Sequence, residues 1–215
     1  IPNIPVNAEW MRNGVTVTGG HGQGKAANQL DWPLELFVDD DQTMMIADTY
    51  NDCIIQLKMS DSIGQVVADG SGRGNGIDQL NRPVDVLIDK ETDSLIIPDK
   101  YNRRVVRWSR RTDTTQGEIL IDNIGCHGLA MDDQRYLYVS DVEKHAVRRY
   151  QLDNMNSTIV AGGNGEGDGL NQLHEPRKFF VDRQQAVYVS DYRNHRVMKW
   201  NKRCNRRNYR RWRSM

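Results

Sequence analysis

The residues of this 215-residue chain whose types and spacing could do chemistry are one glycine-rich loop, four recurring aspartates, five histidines and a set of arginine clusters. Gly19-Gly-His-Gly-Gln-Gly24-Lys25-Ala26 comes close to a P-loop, whose backbone N–H groups and lysine cradle phosphate oxygens. Ala26 stands where such a loop has the Ser or Thr that holds magnesium, and no helical period follows to offer an N-terminal dipole. The equivalent loops further on carry Asn75 and Asp168 in place of the lysine. The glycines therefore read as conformational, supplying the positive φ that a tight inter-strand connection needs.

Asp48, Asp99, Asp141 and Asp191 could pair as catalytic or metal-binding carboxylates. A catalytic group is needed once, whereas these recur at one position of a repeating pattern. Together with Asn51, Asn102 and Asn194, each three residues on, they are expected to be turn residues that accept backbone N–H bonds. Among the histidines, His145 and His195 share a repeat position and belong to the scaffold, while His21 and His174 lie near the prolines that start their units. His127 begins an expected strand beside Cys126. His127 and His174 are the weak metal candidates, fewer than the three ligands and open position of a catalytic zinc site. No Gly-x-Ser-x-Gly elbow supports a hydrolase. No cofactor is expected, and the reading leans away from an enzyme.

Arg103, Arg104, Arg107, Arg110 and Arg111 cluster around Trp108, followed by Arg148, Arg149, Arg177 and Lys178. Phosphate contacts of an RNA partner draw on such charge, although alternation within Val105-Val-Arg-Trp108 places part of it on a solvated strand face. The zero net charge is uneven. Seven Lys or Arg and no acid lie in residues 201–215, leaving 22 basic against 29 acidic groups in residues 1–200. With 27% charged residues and no apolar stretch near the roughly 18 residues of a membrane span, no spanning segment is expected. Three scattered cysteines make no disulfide framework.

The elements that must position these residues come from a repeat. Gly-x-Gly-x-Gly-x-x-x-x-Gln-Leu-x-x-Pro occurs three times, ending at Pro33, Pro83 and Pro176. Apolar runs closed by aspartate follow: Leu34–Asp39, Val84–Asp89 and Arg177–Asp182, with Cys126–Asp132 in a third unit that lacks the glycine loop. Second runs end at Asp48, Asp99, Asp141 and Asp191, and third runs are 54–57, 105–108, 147–150 and 197–200. The segments before each glycine loop, Val15–Thr18 and its equivalents, add a fourth. These runs are short, β-branched or aromatic, and bounded by Gly, Asp and Asn, which reads as strand. Equivalent aspartates are 51, 42 and 50 residues apart, close to the spacing of four-stranded propeller blades.

Tyr188-Val-Ser-Asp191-Tyr-Arg-Asn194-His195-Arg196-Val197 resembles the signature of the NHL-repeat family of β-propellers. Asp99-Lys-Tyr-Asn102-Arg-Arg-Val105 and Asp48-Thr-Tyr-Asn51-Asp-Cys-Ile54 are looser copies, and the third unit departs further, with Lys144 at the asparagine position. The resemblance covers residues 15–200. It implies a propeller of five or six blades, and the six-bladed form is the expected template, although four repeats are present. It also brings in two activities as implied alternatives. Peptidylglycine amidating lyases, which are similar, bind zinc through channel histidines, and some NHL propellers bind RNA on a positively charged face.

The resulting expectation is an all-β chain: a β-propeller or propeller arc of about four NHL-like four-stranded antiparallel blades, at 15–60, 61–112, 113–153 and 154–200. Residues 1–14 form a lead-in, with Ala8-Glu-Trp10 a possible remnant of a preceding blade, and 201–215 form a basic tail expected to be disordered or a sign of truncation. The function expected is a non-catalytic scaffold that binds protein, peptide or glycan through loops on a rigid frame. Candidate ligand-binding residues are His21, Trp32, Arg82, His127, His174 and Arg177. Metal-dependent lyase or lactonase activity and RNA binding are the alternatives, and open blade edges would favour self-association.

Overall fold

A computed structural model describes residues 5–61, 63–68, 72–111 and 114–202. The basic tail from residue 203 onward lies outside the described residues. Val, Ile and aromatic side chains at alternate positions favour extended backbone, where they pack on a pleated surface. The first sheet is built from β1 (Pro33–Val38), β2 (Met44–Asp48), β3 (Cys53–Leu57) and β4 (Gln65–Ala68). The second contains β5 (Leu87–Asp89), β6 (Ser94–Asp99), β7 (Arg104–Ser109) and β8 (Glu118–Ile121). The third contains β9 (Cys126–Met131), β10 (Tyr136–Asp141), β11 (Ala146–Gln151) and β12 (Ser157–Gly162). In the fourth, β13 (Pro176–Val181), β14 (Val187–Asp191) and β15 (Arg196–Trp200) make three strands among the described residues.

Each sheet is an antiparallel meander in chain order, and the four sheets form a propeller of four blades. The six-bladed template is corrected here: each repeat unit supplies one sheet, so four units make four. Sheets and sequence units are offset by one strand. The run before each new unit pairs as the outer strand of the preceding sheet, as β4 does on β3, β8 on β7 and β12 on β11. Residues 15–18, which hold the same place ahead of the first unit, are in no strand.

Three apolar layers hold neighbouring sheets face to face. Met45, Ala47 and Ile54 of the first sheet meet Val86, Leu95, Ile97, Val106 and Trp108 of the second. Ile96 and Val105 meet Cys126, Leu137 and Val139 in the next layer. Tyr138 and Val147 meet Leu173, Val187 and Val189 in the last. Burying such side chains contributes roughly 1.5–3 kcal/mol each, which makes the sheet-to-sheet layers the main support of the frame. No helix of the described residues is long and apolar enough to cross a membrane.

Candidate functional site

The antiparallel meander gathers at one end of the propeller the glycine loops, the starts of the inner strands and the short 3-10 turns at Thr49–Asn51, Lys100–Asn102 and Tyr192–Asn194. Recurrent hydrogen bonds build that end. Asp48 accepts the Asp31 N–H at 2.7 Å and the Asn51 amide at 2.7 Å, and Asn51 also donates to the Gly24 carbonyl at 2.8 Å. Asp99 and Asn102 repeat this with Asn81 and Gly74, and Asp191 and Asn194 repeat it with His174 and Gly167. Arg104 and Arg196 add a guanidinium bond to Asp99 and Asp191, each at 2.7 Å. Among the described residues, Asp141 in the third unit receives only the Lys144 N–H at 3.2 Å, with Arg148 at 3.9 Å. Lys144 has no side-chain amide to bridge to a glycine loop, and that unit has no such loop.

This network places a second set of residues. Trp32, Arg82 and Glu175 each precede the proline of their unit and each has a left-handed backbone, with φ of 50°, 56° and 57°. The conformation is uncommon for a bulky side chain. It is imposed three times because the turn N–H groups of Tyr50, Tyr101 and Arg193 bond the carbonyls just upstream, at Asp31, Asn81 and His174. Asp52 then accepts the Arg82 N–H at 2.8 Å across the first sheet-to-sheet junction. Arg82 is held between two turns as a result. Its guanidinium lies 3.6 Å from the centroid of the Tyr50 ring and 5.5 Å from that of Tyr101. Trp32 stacks on the same Tyr50 ring at 5.5 Å with planes 30° apart. A parallel contact on the fourth sheet sets Arg177 over Tyr192 at 3.5 Å, with Glu175 accepting from Arg177 and Arg193, each at 2.6 Å.

Deeper at the same end, burial pushes the half-buried Lys100 ammonium below its ordinary value, and Arg177 and Arg82 push it further against the opposing pull of Glu175. His127 is 8% exposed and its Nδ1 has no partner among the described residues. Burial, then the charges of Lys100, Lys178 and Arg177, hold His127 down at about 3, so its imidazole is neutral. Cys126 is an inert thiol: burial raises it, and its Sγ donates to the Arg104 carbonyl at 3.1 Å.

Below this end the inner strands enclose an open channel of about 660 Å³, lined by apolar residues such as Phe37, Leu129 and Phe179 and by charged ones such as Asp89, Asp132 and Arg135. Lys178 crosses it to reach Asp85 Oδ2 at 3.0 Å and the Glu35 carboxylate. Burial pushes the Asp85 carboxyl up, against the opposing pull of Lys178 and the Leu129 N–H.

The structure thus brings Trp32 and Arg82 into one stack and sets Arg177 beside Lys100 and His127. His21 is exposed in the first glycine loop, its Nδ1 donating to the Gly19 carbonyl at 3.1 Å. His174 joins a separate group, with Nε2 3.1 Å from Glu166 and its ring 5.9 Å from that of His145. Among the described residues no group of three or more His, Cys, Asp or Glu side chains is placed to hold a metal ion. Sequence reasoning missed Tyr50, Tyr101, Tyr192 and Lys100. Their signal was an aromatic residue recurring inside the Asp-to-Asn turn, as in Asp48-Thr-Tyr-Asn51 and Asp99-Lys-Tyr-Asn102.

The arrangement suits an anionic, partly planar ligand. Arg82 and Lys100 have no carboxylate within ion-pair distance among the described residues, and aromatic faces flank the guanidinium. A stacked guanidinium keeps its N–H edges free for a bidentate carboxylate.

The sequence matches no protein-family model, and no curated protein matches it. Its fold does match solved structures. A chain of a nidogen/laminin complex superposes with a TM-score of 0.63 at 19% identity, over 79% of this chain and 60% of that one. An auxiliary nutrient binding protein from Bacteroides thetaiotaomicron gives 0.58 at 12% identity, over 77% and 46%. A catalytically inactive virginiamycin B lyase from Staphylococcus aureus, with quinupristin, gives 0.54 at 9% identity, over 80% and 56%. The likeness is one of fold, and the chain spans between about half and three-fifths of the length of these proteins.

Proposed function

We propose that this chain is a non-catalytic binding propeller whose aromatic and cationic end takes an acidic segment of a partner protein. The observation that carries the reading is the Trp32–Tyr50–Arg82–Tyr101 stack, which presents, on a hydrogen-bonded frame, a guanidinium without an acidic partner among the described residues. The half-buried Lys100 beside Arg82 and Arg177 adds charge that an incoming carboxylate would relieve. Fold neighbours titled as a nidogen/laminin complex and a nutrient binding protein agree with a binding role. Among the candidates, Trp32, Arg82 and Arg177 are assigned to contact with the partner, His127 to the buried floor, and His21 and His174 to the rim. The repeated Asp and Asn residues are assigned to fastening the turns.

The test is fluorescence anisotropy of a labelled Glu- and Asp-rich peptide with the 215-residue chain. A Gln- and Asn-substituted peptide and a single-stranded RNA serve as competitors. Arg82→Ala and Arg177→Ala should each weaken acidic-peptide binding about tenfold or more, since truncating a charge in a desolvated pair costs at least that. Equal binding of the neutral peptide, or RNA bound more tightly than peptide, would overturn the reading.

A lyase reading keeps one favourable observation, the neutral, buried His127, whose Nδ1 has no partner among the described residues. Stoichiometric zinc or calcium in elemental analysis of the purified chain would support it.

A further inference from the structure

At each internal junction the trailing face of one sheet is covered by the next sheet. Ile54, Val105 and Val147 share one repeat position on that face, and each is 0% exposed. Val197 holds the same position in the fourth sheet and is 73% exposed. The opposite face of the first sheet is bare in the same way. Leu36 and Val38 are 54% and 48% exposed, where their counterparts Val86 and Ile88 are 2% and 6%. These are the two faces that would meet if the series of sheets continued.

The two polar locks of the third junction have counterparts on these faces that make no such cross-junction bond among the described residues. Ser140 Oγ donates to the Arg177 carbonyl at 2.9 Å across the third junction, and the corresponding pair is Ser190 and Leu34. Gln185 Nε2 donates to Asp132 Oδ2 at 2.7 Å, and the corresponding pair is Gln42 and Asp182. Gln42 has the left-handed backbone of Gln185, with φ of 64° against 61°. A strand is also unplaced. β4, β8 and β12 each precede a unit and complete the sheet before it, whereas residues 15–18 precede the first unit unpaired and β15 keeps an open edge among the described residues.

We propose that two copies of this chain associate head to tail, the fourth sheet of each receiving the first sheet of the other. Residues 15–18 of one copy then run along β15 of its partner as the outer strand of that sheet. The occupant is a second copy because each bare face finds its complement, position for position, on the same chain. One chain does not satisfy both faces by itself. Lys178 already reaches Glu35 across the channel, yet Val197 and Leu36 remain exposed. Two equivalent junctions close a ring of eight sheets, which covers all four bare faces and both open edges. Widening the channel in this way separates Lys178 from Glu35.

Size exclusion with light scattering tests the proposal. The intact chain should run at twice its monomer mass, and Val197→Lys and Leu36→Lys should each run as monomers with cooperative thermal unfolding. Each variant retains one intact face of opposite kind, so an equimolar mixture should recover a two-copy species. A monomeric intact chain, a mass growing beyond two copies, a dimer that survives both substitutions, or a mixture that stays monomeric would each overturn it.

Discussion

Arg104 donates its Nε–H to Asp99 Oδ2 at 2.7 Å with both side chains shut away from solvent, and Arg196 makes the same bond to Asp191 with its guanidinium partly exposed. One geometry in two settings gives opposite electrostatics. Burial pushes the Asp99 carboxyl above its ordinary value despite Asn102, the Asn81 N–H and Arg104. Burial also acts on Asp191, but there the bonds from Asn194, His174 and Arg196 outweigh it and hold the carboxyl low. Arg104 further donates to the carbonyls of Asn75, Gly76 and Gln79, so it closes the second glycine loop as well as neutralising Asp99.

Arg104→Ala should therefore destabilise the chain by about 3–5 kcal/mol, the range for breaking a buried pair by removing one partner. Arg196→Ala should cost less, about 1–2 kcal/mol, because water reaches the site and screens what is left. Urea unfolding of both variants checks the order, and equal losses would contradict the role given to burial.

His127 makes stability depend on pH. Its ordinary value is 6.5, and burial together with Lys100, Lys178 and Arg177 holds it at about 3 in the folded chain. Between these values the unfolded state binds a proton that the folded state refuses. Stability from this residue is complete above pH 6.5 and is lost as the pH falls toward 3, by on the order of 5 kcal/mol over the whole window. His127→Gln should remove that part of the slope. Unfolding curves across the window, with and without the substitution, would show it.

The repeat made the strands legible, because Pro-to-Asp and Asp-to-Trp spacings recur and their β-branched runs have one use. The Asp and Asn turn positions stood out for the same reason. The stack was not legible. Trp32, Tyr50, Arg82 and Tyr101 come from different turns, and they meet only because left-handed residues before Pro33 and Pro83 turn their side chains along the sheet junction. The third unit obscured the pattern further, since Cys126 replaces a proline and Lys144 an asparagine, and its turn is fastened by fewer bonds. The offset between units and sheets was hidden because the outer strand lies next in sequence to one unit and next in space to the other.

Gly162 tests the close packing of the third junction. It has φ of +66°, and a Cβ there would stand 2.3 Å from the His145 carbonyl and 2.7 Å from Leu173. Gly72 has a similar φ of +79°, and a Cβ there would meet nothing within 4 Å among the described residues. Gly72→Ala should cost about 1 kcal/mol for the backbone alone. Gly162→Ala adds a clash with backbone that cannot swing away and should cost at least about 2 kcal/mol more. Thermal melts of the two variants would separate backbone strain from crowding.

Arg82→Lys separates stacking from charge at the proposed binding end. Lysine keeps the positive charge but loses the planar fork that lies 3.6 Å from Tyr50, and with it the bidentate edge. The contact is partly exposed, so folding stability should change by only about 1 kcal/mol. Acidic-peptide affinity should nevertheless fall about tenfold, while its dependence on salt stays as in the intact chain. Tyr50→Ala should produce the same loss by removing the surface that holds the guanidinium flat and that Trp32 stacks on. If Arg82→Lys bound the peptide as well as the intact chain, the end would act through charge alone and the aromatic stack would be a structural prop.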